Sequence, residues 1–388
     1  MNPIRFWGVV LVVSVSSVPP WCNGVGPVFA AEIAIGGTAP GSVSLLVSGK
    51  RAAVAWIVDS TKREPGGVFA AVSVDGGATF GESVAASPAG VRVTAMGGAR
   101  PGLAFQPDGG LFVSYTGKVE GGMEVHLSRL PVAGAAEDWV VAKPEKEQGY
   151  QMLPDVACGM DGGVAVAWTA SGESEEGSAY VAYSSDGGRT FDKKIGLPGV
   201  ACPCCPGTLV MDSGGACYFG YRAVFSGERD PVVSVVRNRG ENVEGPIRIH
   251  RDHWKVDGCP ANGVALAITE PGARPRIAAA WYAGGPNPGV YRATGVPGTE
   301  LVLDKLKAGT TERAMKNPSI GLGGKDPGVL WLEQEKGKPT RLFSGRGGGI
   351  VSPAASFARG DATNLAAWVE SGRAGNVIQI SELPGGRR

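Results

Sequence analysis

Seven short apolar segments, each ending in an aromatic residue, set the strongest limit on how this chain folds. They are Ala52–Trp56, Leu111–Tyr115, Val164–Trp168, Cys217–Tyr221, Ile277–Trp281, Gly328–Trp331 and Leu365–Trp368. Each follows a Gly-containing turn and precedes a polar loop and further strand-like runs, with about 40–60 residues from one aromatic to the next. Units of that length with several strands each point to an all-β protein, a β-propeller of six or seven blades of mostly four antiparallel strands. A solenoid has shorter repeats and fewer strands per turn. Seven units are counted; the last two are shortened, so six blades result if two units share one. The opening Glu32–Ile35 has no partner of its own. It is expected to supply the outer strand of the final blade and close the ring, which removes exposed sheet edges. The recurring Trp56, Trp168, Trp281, Trp331 and Trp368 read as packing between blades, since aromatics bury large apolar area.

Composition agrees with a turn-rich β-protein. Gly 62 and Pro 28 supply tight turns, and 43% hydrophobic residues supply the core. Lys plus Arg is 37 and Asp plus Glu 36, so no global field favours nucleic acid or an anionic membrane. The N-terminus reads as an export leader: Arg5, an apolar run from Phe6 to Val18, then Val28-Phe29-Ala30 as a small-residue cleavage site. That run is about 13 residues, short of the ~20 needed to span a bilayer as a helix. The expected organisation is a signal peptide over 1–30 and one propeller domain over 31–388, exported to the periplasm or the extracellular space. No membrane span is expected in the mature chain.

Two turns have nearly the same sequence, Ser73-Val-Asp75-Gly-Gly77-Ala-Thr79-Phe80 and Ser184-Ser-Asp186-Gly-Gly188-Arg-Thr190-Phe191. Asp accepts bonds from nearby N–H groups, Gly supplies positive φ, and the aromatic packs beneath the turn. This pattern resembles the Asp-box (BNR) repeat of the sialidase superfamily, whose fold is a β-propeller. In that family the box is a structural turn remote from the active site, so the resemblance gives Asp75 and Asp186 no catalytic role. A retaining sialidase also implies Arg-Ile-Pro or Arg-Leu-Pro before the first box and a tyrosine nucleophile late in the chain. Neither motif precedes Ser73, and no tyrosine follows Tyr291.

Chemistry concentrates between Gly199 and Gly263, which hold five of the 7 cysteines and two of the 3 histidines. In a propeller of this kind, the loops entering inner strands and the loops after second strands share one face around the funnel. Arg222, Arg229, Asp230, Asn262, Lys316 and the cysteines are therefore expected at one mouth, with Trp254 as a platform for a sugar. The ligand-binding candidates are Arg222, Arg229, Trp254, Asn262 and Lys316, against the plainer reading in which Arg222 and Arg229 pair with Glu228, Asp230 or Asp252 as rim salt bridges. Without Cys22, which leaves with the leader, six cysteines remain, an even number that favours disulfides in an oxidising compartment. Two or three disulfides are expected among Cys202, Cys204, Cys205, Cys217, Cys259 and Cys158. The alternative is a copper or zinc site at Cys202, Cys204, Cys205 and Cys259, with His250 and His253 nearby. His126, alone on a strand, reads as structural.

The leading expectation is an exported propeller that binds a glycan or an extracytoplasmic protein at its funnel and is not a true sialidase. A second reading is an exo-acting glycoside hydrolase, with Tyr221, Asp230 and Asp257 as the catalytic candidates. A third is a metal-binding propeller built on the cysteines. Whether the chain is an enzyme is left open by the sequence.

Overall fold

The computed structural model describes residues 30–382 except 36–41, 62–65, 133, 147–148, 173–176, 257, 259, 311–312, 322–326, 336–340, 345–348, 352–353, 360–363 and 373–374. The expected leader lies outside the described residues. No helix among them is long and apolar enough to cross a membrane.

The chain is an all-β propeller. Among the described residues, seven successive four-stranded units are formed by antiparallel neighbours. Blade one runs Ser42–Ser48, Arg51–Val58, Gly67–Ser73, Val84–Ala85 from the axis outward. Blade two is Gly102–Phe105, Leu111–Val119, Gly122–Leu130, Glu137–Ala142, and blade three is Tyr150–Cys158, Val164–Ser171, Gly177–Ser184, Ile195–Gly196. Blade four is Thr208–Met211, Cys217–Phe225, Glu228–Arg237, Asn242–Arg248, and blade five is Val264–Glu270, Arg276–Ala283, Gly289–Gly295, Val302–Ala308. Blade six follows with Arg313–Gly321, Gly328–Glu335, Arg341–Ser344 and Gly349–Val351. Blade seven takes Ala354–Arg359, Asn364–Gly372 and Gly375–Glu382, and its fourth strand is the N-terminal Ala30–Ile35. Ile33 pairs with Ile378 in that antiparallel closure, as the unpartnered Glu32–Ile35 predicts. Inner strands contact each other in order around the ring, the last against the first.

Cross-strand aromatics recur at one place in the blades. Trp56 faces Phe69, Tyr115 faces His126, Trp168 faces Tyr180, Trp281 faces Tyr291 and Trp331 faces Phe343. Their ring centroids lie 4.8–6.3 Å apart and the rings are near parallel. Directly opposed aromatics stabilise an antiparallel pair. Trp56, Trp168, Trp281 and Trp331 are all buried, so these residues are core, as expected from their periodicity.

The two similar turns share one hydrogen-bond scheme. The Ser73 hydroxyl donates to Asp75 and accepts from Gly77 N–H, while Thr79 donates both its N–H and its hydroxyl to the Asp75 carboxylate. Ser184, Asp186, Gly188 and Thr190 repeat it. These bonds stabilise the ionised carboxylate and hold both Asp75 and Asp186 down at about 2. Gly77 has φ +92°, and a Cβ there would sit 2.4 Å from Leu365 Cδ1 of blade seven.

Candidate functional site between blades four and five

Arg222 joins most of the sequence's dense stretch. Its second-strand position in blade four points it across the seam to blade five, where the side chain is fully buried. Nε donates to Asn262 O at 2.9 Å, NH1 to Arg229 O at 2.7 Å and to Asp252 Oδ2 at 3.1 Å, and NH2 to Tyr282 O at 2.7 Å. The guanidinium carbon lies 5.0 Å from the Trp254 ring centroid, and Trp254 meets Tyr282 edge-on. Arg222 thus fixes the hairpins of two blades and the loop between them. It is a framework cation. The loop ends that carry Arg229, Trp254 and Asn262 do meet at Arg222, but the arginine faces inward because Asp252 supplies its counter-charge.

Asp252 is also buried. Besides Arg222, its carboxylate accepts from Trp281 Nε1 at 3.0 Å and stands 2.7 Å from His250 Nδ1. Asp230, equally buried, accepts the Asp252 N–H at 2.9 Å and pairs with Arg248 at 3.1 Å. Burial pushes the Asp230 carboxyl above its ordinary range, against the pull of the Asp252 N–H and Arg248. Arg229 is buried too, and its N–H donates to Trp254 O at 2.9 Å.

Beside this framework opens a cavity of about 430 Å³, lined by His250–His253, Ala283, Pro286, Asn287, Tyr291 and Lys305. His250 stacks on Tyr291 at 5.5 Å, and Tyr291 stacks in turn on Trp281. Lys305 Nζ is 5.3 Å from the Tyr291 ring centroid. The Tyr291 hydroxyl donates to Asn287 O at 2.6 Å. Arg251 and His253 reach back to Glu228 at 3.0 and 3.3 Å. The wall therefore offers two exposed permanent cations, Arg251 and Lys305, two histidines and an aromatic ring. Such a wall suits an anion with hydroxyl groups.

The cysteine loop is tied to the Arg222 strand, where Cys202 N–H donates to Arg222 O at 2.8 Å. Cys202 and Cys205 are buried and free, with sulfurs 3.4 Å apart; Cys204 is half-buried, its sulfur 3.8 Å from Cys202. Cys204 is disulfide-bonded to a partner outside the described residues. Cys158 and Cys217 are also free. Of the expected disulfides, the described residues thus carry the one at Cys204, while Cys217 sits in the core between blades three and four, beside Tyr183, with no sulfur partner among the described residues. Burial raises Cys217 to about 12.

The remaining candidates separate. Tyr221 is a core residue stacked on Phe219, with its hydroxyl 3.1 Å from Ser234 Oγ. Asn262 is buried and donates to Pro260 O at 3.0 Å. Lys316 is exposed on the inner strand of blade six. Asp257 and Cys259 lie outside the described residues. His126 is buried between Asp138 and Glu124 at 2.8 and 2.9 Å and stacks on Tyr115, the structural role expected for it. The plainer reading, which pairs the arginines with Glu228, Asp230 or Asp252, holds for Arg222 and Asp252, whereas the sequence reading missed Tyr291 and Lys305. One signal could have found Tyr291: it stands opposite Trp281 at the aromatic position repeated in other blades. Nothing in the local sequence marks Lys305.

Among solved structures, the Hadza microbial sialidase Hz136 superposes with a TM-score of 0.54 at 10% identity, over 90% of this chain and 66% of that one. The fold is a sialidase-like β-propeller. The Trypanosoma rangeli sialidase in complex with sialic acid matches with a TM-score of 0.50 at 10% identity, over 92% of this chain and 59% of that one. This sialidase-like propeller thus spans less than two thirds of the length of both enzymes. No protein-family model matches the sequence. No curated protein matches it either.

Proposed function

We propose that this chain is an exported, non-catalytic sialidase-like propeller that binds an acidic sugar in the cavity between blades four and five. One observation carries the reading. The cavity wall combines Arg251 and Lys305 with the ring of Tyr291 and the polar edge of Asn287, inside a concave volume of about 430 Å³. A carboxylate recruits the cations, and the apolar face of a pyranose packs on the tyrosine. His250 is held by Asp252 through Nδ1, which leaves its other ring nitrogen for a hydroxyl. Binding rather than bond cleavage is supported by two of the three acid–base candidates: Tyr221 is in the core, and Asp230 is paired beneath Arg248 and Asp252 N–H. The solved neighbours include a sialidase in complex with sialic acid, which makes that sugar the natural first probe.

Calorimetric titration of the mature chain with free sialic acid, glucuronic acid and neutral galactose tests the proposal. The two acidic sugars should bind more tightly than galactose. Arg251→Ala with Lys305→Ala should weaken the acidic sugars by about 10-fold or more, from the loss of charge-assisted hydrogen bonds. Equal affinity in the folded double variant, or no preference for acid over neutral sugar, would overturn it.

A further inference from the structure

Glu124, His126 and Ser128 alternate along the third strand of blade two, so their side chains share one face of the sheet, the face packed on blade one. Tyr115 stands opposite His126 and its ring stacks on the imidazole, with centroids 4.8 Å apart. His126 is buried, and Gly117 leaves room for its edge: a Cβ there would sit 2.7 Å from Nε2. Nδ1 lies 2.8 Å from Asp138 Oδ2 of the fourth strand, and Nε2 lies 2.9 Å from Glu124 Oε1. The Tyr115 hydroxyl donates to Asp138 Oδ1 at 2.7 Å. Ser128 Oγ links that same oxygen, at 2.5 Å, to Ala86 O of blade one, at 2.6 Å. The imidazole therefore sits in a hydrogen-bonded chain that crosses from one blade to the next.

Counting protons shows what holds this chain closed. An ionised carboxylate only accepts hydrogen bonds, and a neutral imidazole carries one N–H and one lone pair. Both ring nitrogens of His126 face carboxylate oxygens, so a neutral ring would turn its lone pair on one of them. The two short contacts thus need one proton more than a neutral ring and two carboxylates hold. We propose that Glu124, His126 and Asp138 form a proton-locked clasp at the seam of blades one and two, closed while the imidazole is doubly protonated and released as rising pH removes that proton. On release the proton leaves Nε2 for solvent, and the remaining N–H stays on Nδ1 toward Asp138. Glu124, half-buried and two residues from the hairpin end at Gly122, then has no donor and turns to water.

The electrostatics agree with the geometry. Burial works against the charged ring, but the hydrogen bond to Asp138 and the charges of Asp138 and Glu124 outweigh it and raise His126 above its ordinary 6.5. Burial and Asp138 also push Tyr115 well above its ordinary value, so its hydroxyl stays a donor throughout. Lys118 on the second strand, Arg129 on the third and Glu137 on the fourth alternate onto the opposite face of the sheet. Blade one brings Arg92 to the seam, and its guanidinium donates to Thr61 O at 2.7 Å. Because the folded value lies above the unfolded one, the clasp contributes fully below about 6.5 and is lost as pH rises through the folded value. This inference does not depend on what the cavity between blades four and five binds.

The test follows the 3 histidines of the full chain by NMR with labelled imidazoles, from about pH 5 to about pH 9. His126 is assigned by its absence from the His126→Gln spectrum. Its midpoint should lie above 6.5. Glu124→Gln should weaken its proton affinity by about 10-fold or more, because a carboxamide N–H can donate to the neutral ring and the contact no longer needs the extra proton. Hydrogen exchange over 84–93 and 122–130, corrected for its intrinsic pH dependence, reads the seam itself. Wild type should lose about 10-fold or more of its protection there as pH passes the His126 midpoint, and Glu124→Gln should not. A His126 midpoint at or below 6.5, or a seam whose protection ignores that midpoint, would overturn the proposal. The wild-type titration and exchange decide the matter alone if a variant fails to fold.

Discussion

Arg222 and Asp252 meet at 3.1 Å with neither side chain exposed to solvent. Thirty residues of chain separate them, and the pair stitches the second strand of blade four to the loop that leads into blade five. Removing one partner strands a buried charge. Arg222→Met should therefore destabilise the chain by about 3–5 kcal/mol in denaturant unfolding. Arg222→Lys should rescue little, since an ammonium cannot reproduce four bonds in a planar fork. A loss under about 1 kcal/mol for Arg222→Met would mean that the seam relaxes without this pair.

Asp155 gives a pH signature. It lies half-buried on the inner strand of blade three, accepting Leu209 N–H at 2.8 Å, and desolvation raises it to about 6 although Arg100 pulls the other way. The ordinary value is 3.8, so the folded state disfavours the ionised form. The associated stability is fully present below the unfolded pKa and is lost as pH rises through about 6. Asp155→Asn removes this dependence. Thermal and urea unfolding should show the variant gaining on wild type by about 3 kcal/mol between pH 3 and pH 8. A difference that stays constant with pH would show that Asp155 is solvated in the folded chain.

Gly77 couples a turn of blade one to blade seven. With φ +92° and Leu365 Cδ1 only 2.4 Å from where a Cβ would stand, Gly77→Ala combines backbone strain with a clash. A cost of about 1–3 kcal/mol is expected from unfolding curves. A neutral substitution would show that blade seven yields at this point.

The fold was legible because its signals are local and repeat. The aromatic ending each second strand, the Asp turn and the unpaired Glu32–Ile35 each encode a place in a blade, and the ring follows once units are stacked. The site was less legible for a physical reason. Arg222 and Arg229 read as ligand groups because arginines are usually exposed, but Arg222 is neutralised by an aspartate from a different connection, a pairing no spacing rule gives. Tyr221 stands at the repeated aromatic position and is core for the same reason as Trp168. The cavity needs His250 from one loop, Tyr291 from a third strand and Lys305 from a fourth, so only the folded register brings them together. The cysteines were the reverse case: the density of Cys202, Cys204 and Cys205 in sequence is real proximity in space.

The most direct measurement is a crystal structure of the chain soaked with sialic acid. The account predicts the sugar in the cavity between blades four and five, its carboxylate within hydrogen-bond reach of Arg251 or Lys305 and its ring against Tyr291. Sugar bound at the central axis beside Lys316 with this cavity empty, or no ordered sugar at saturating concentration, would contradict it.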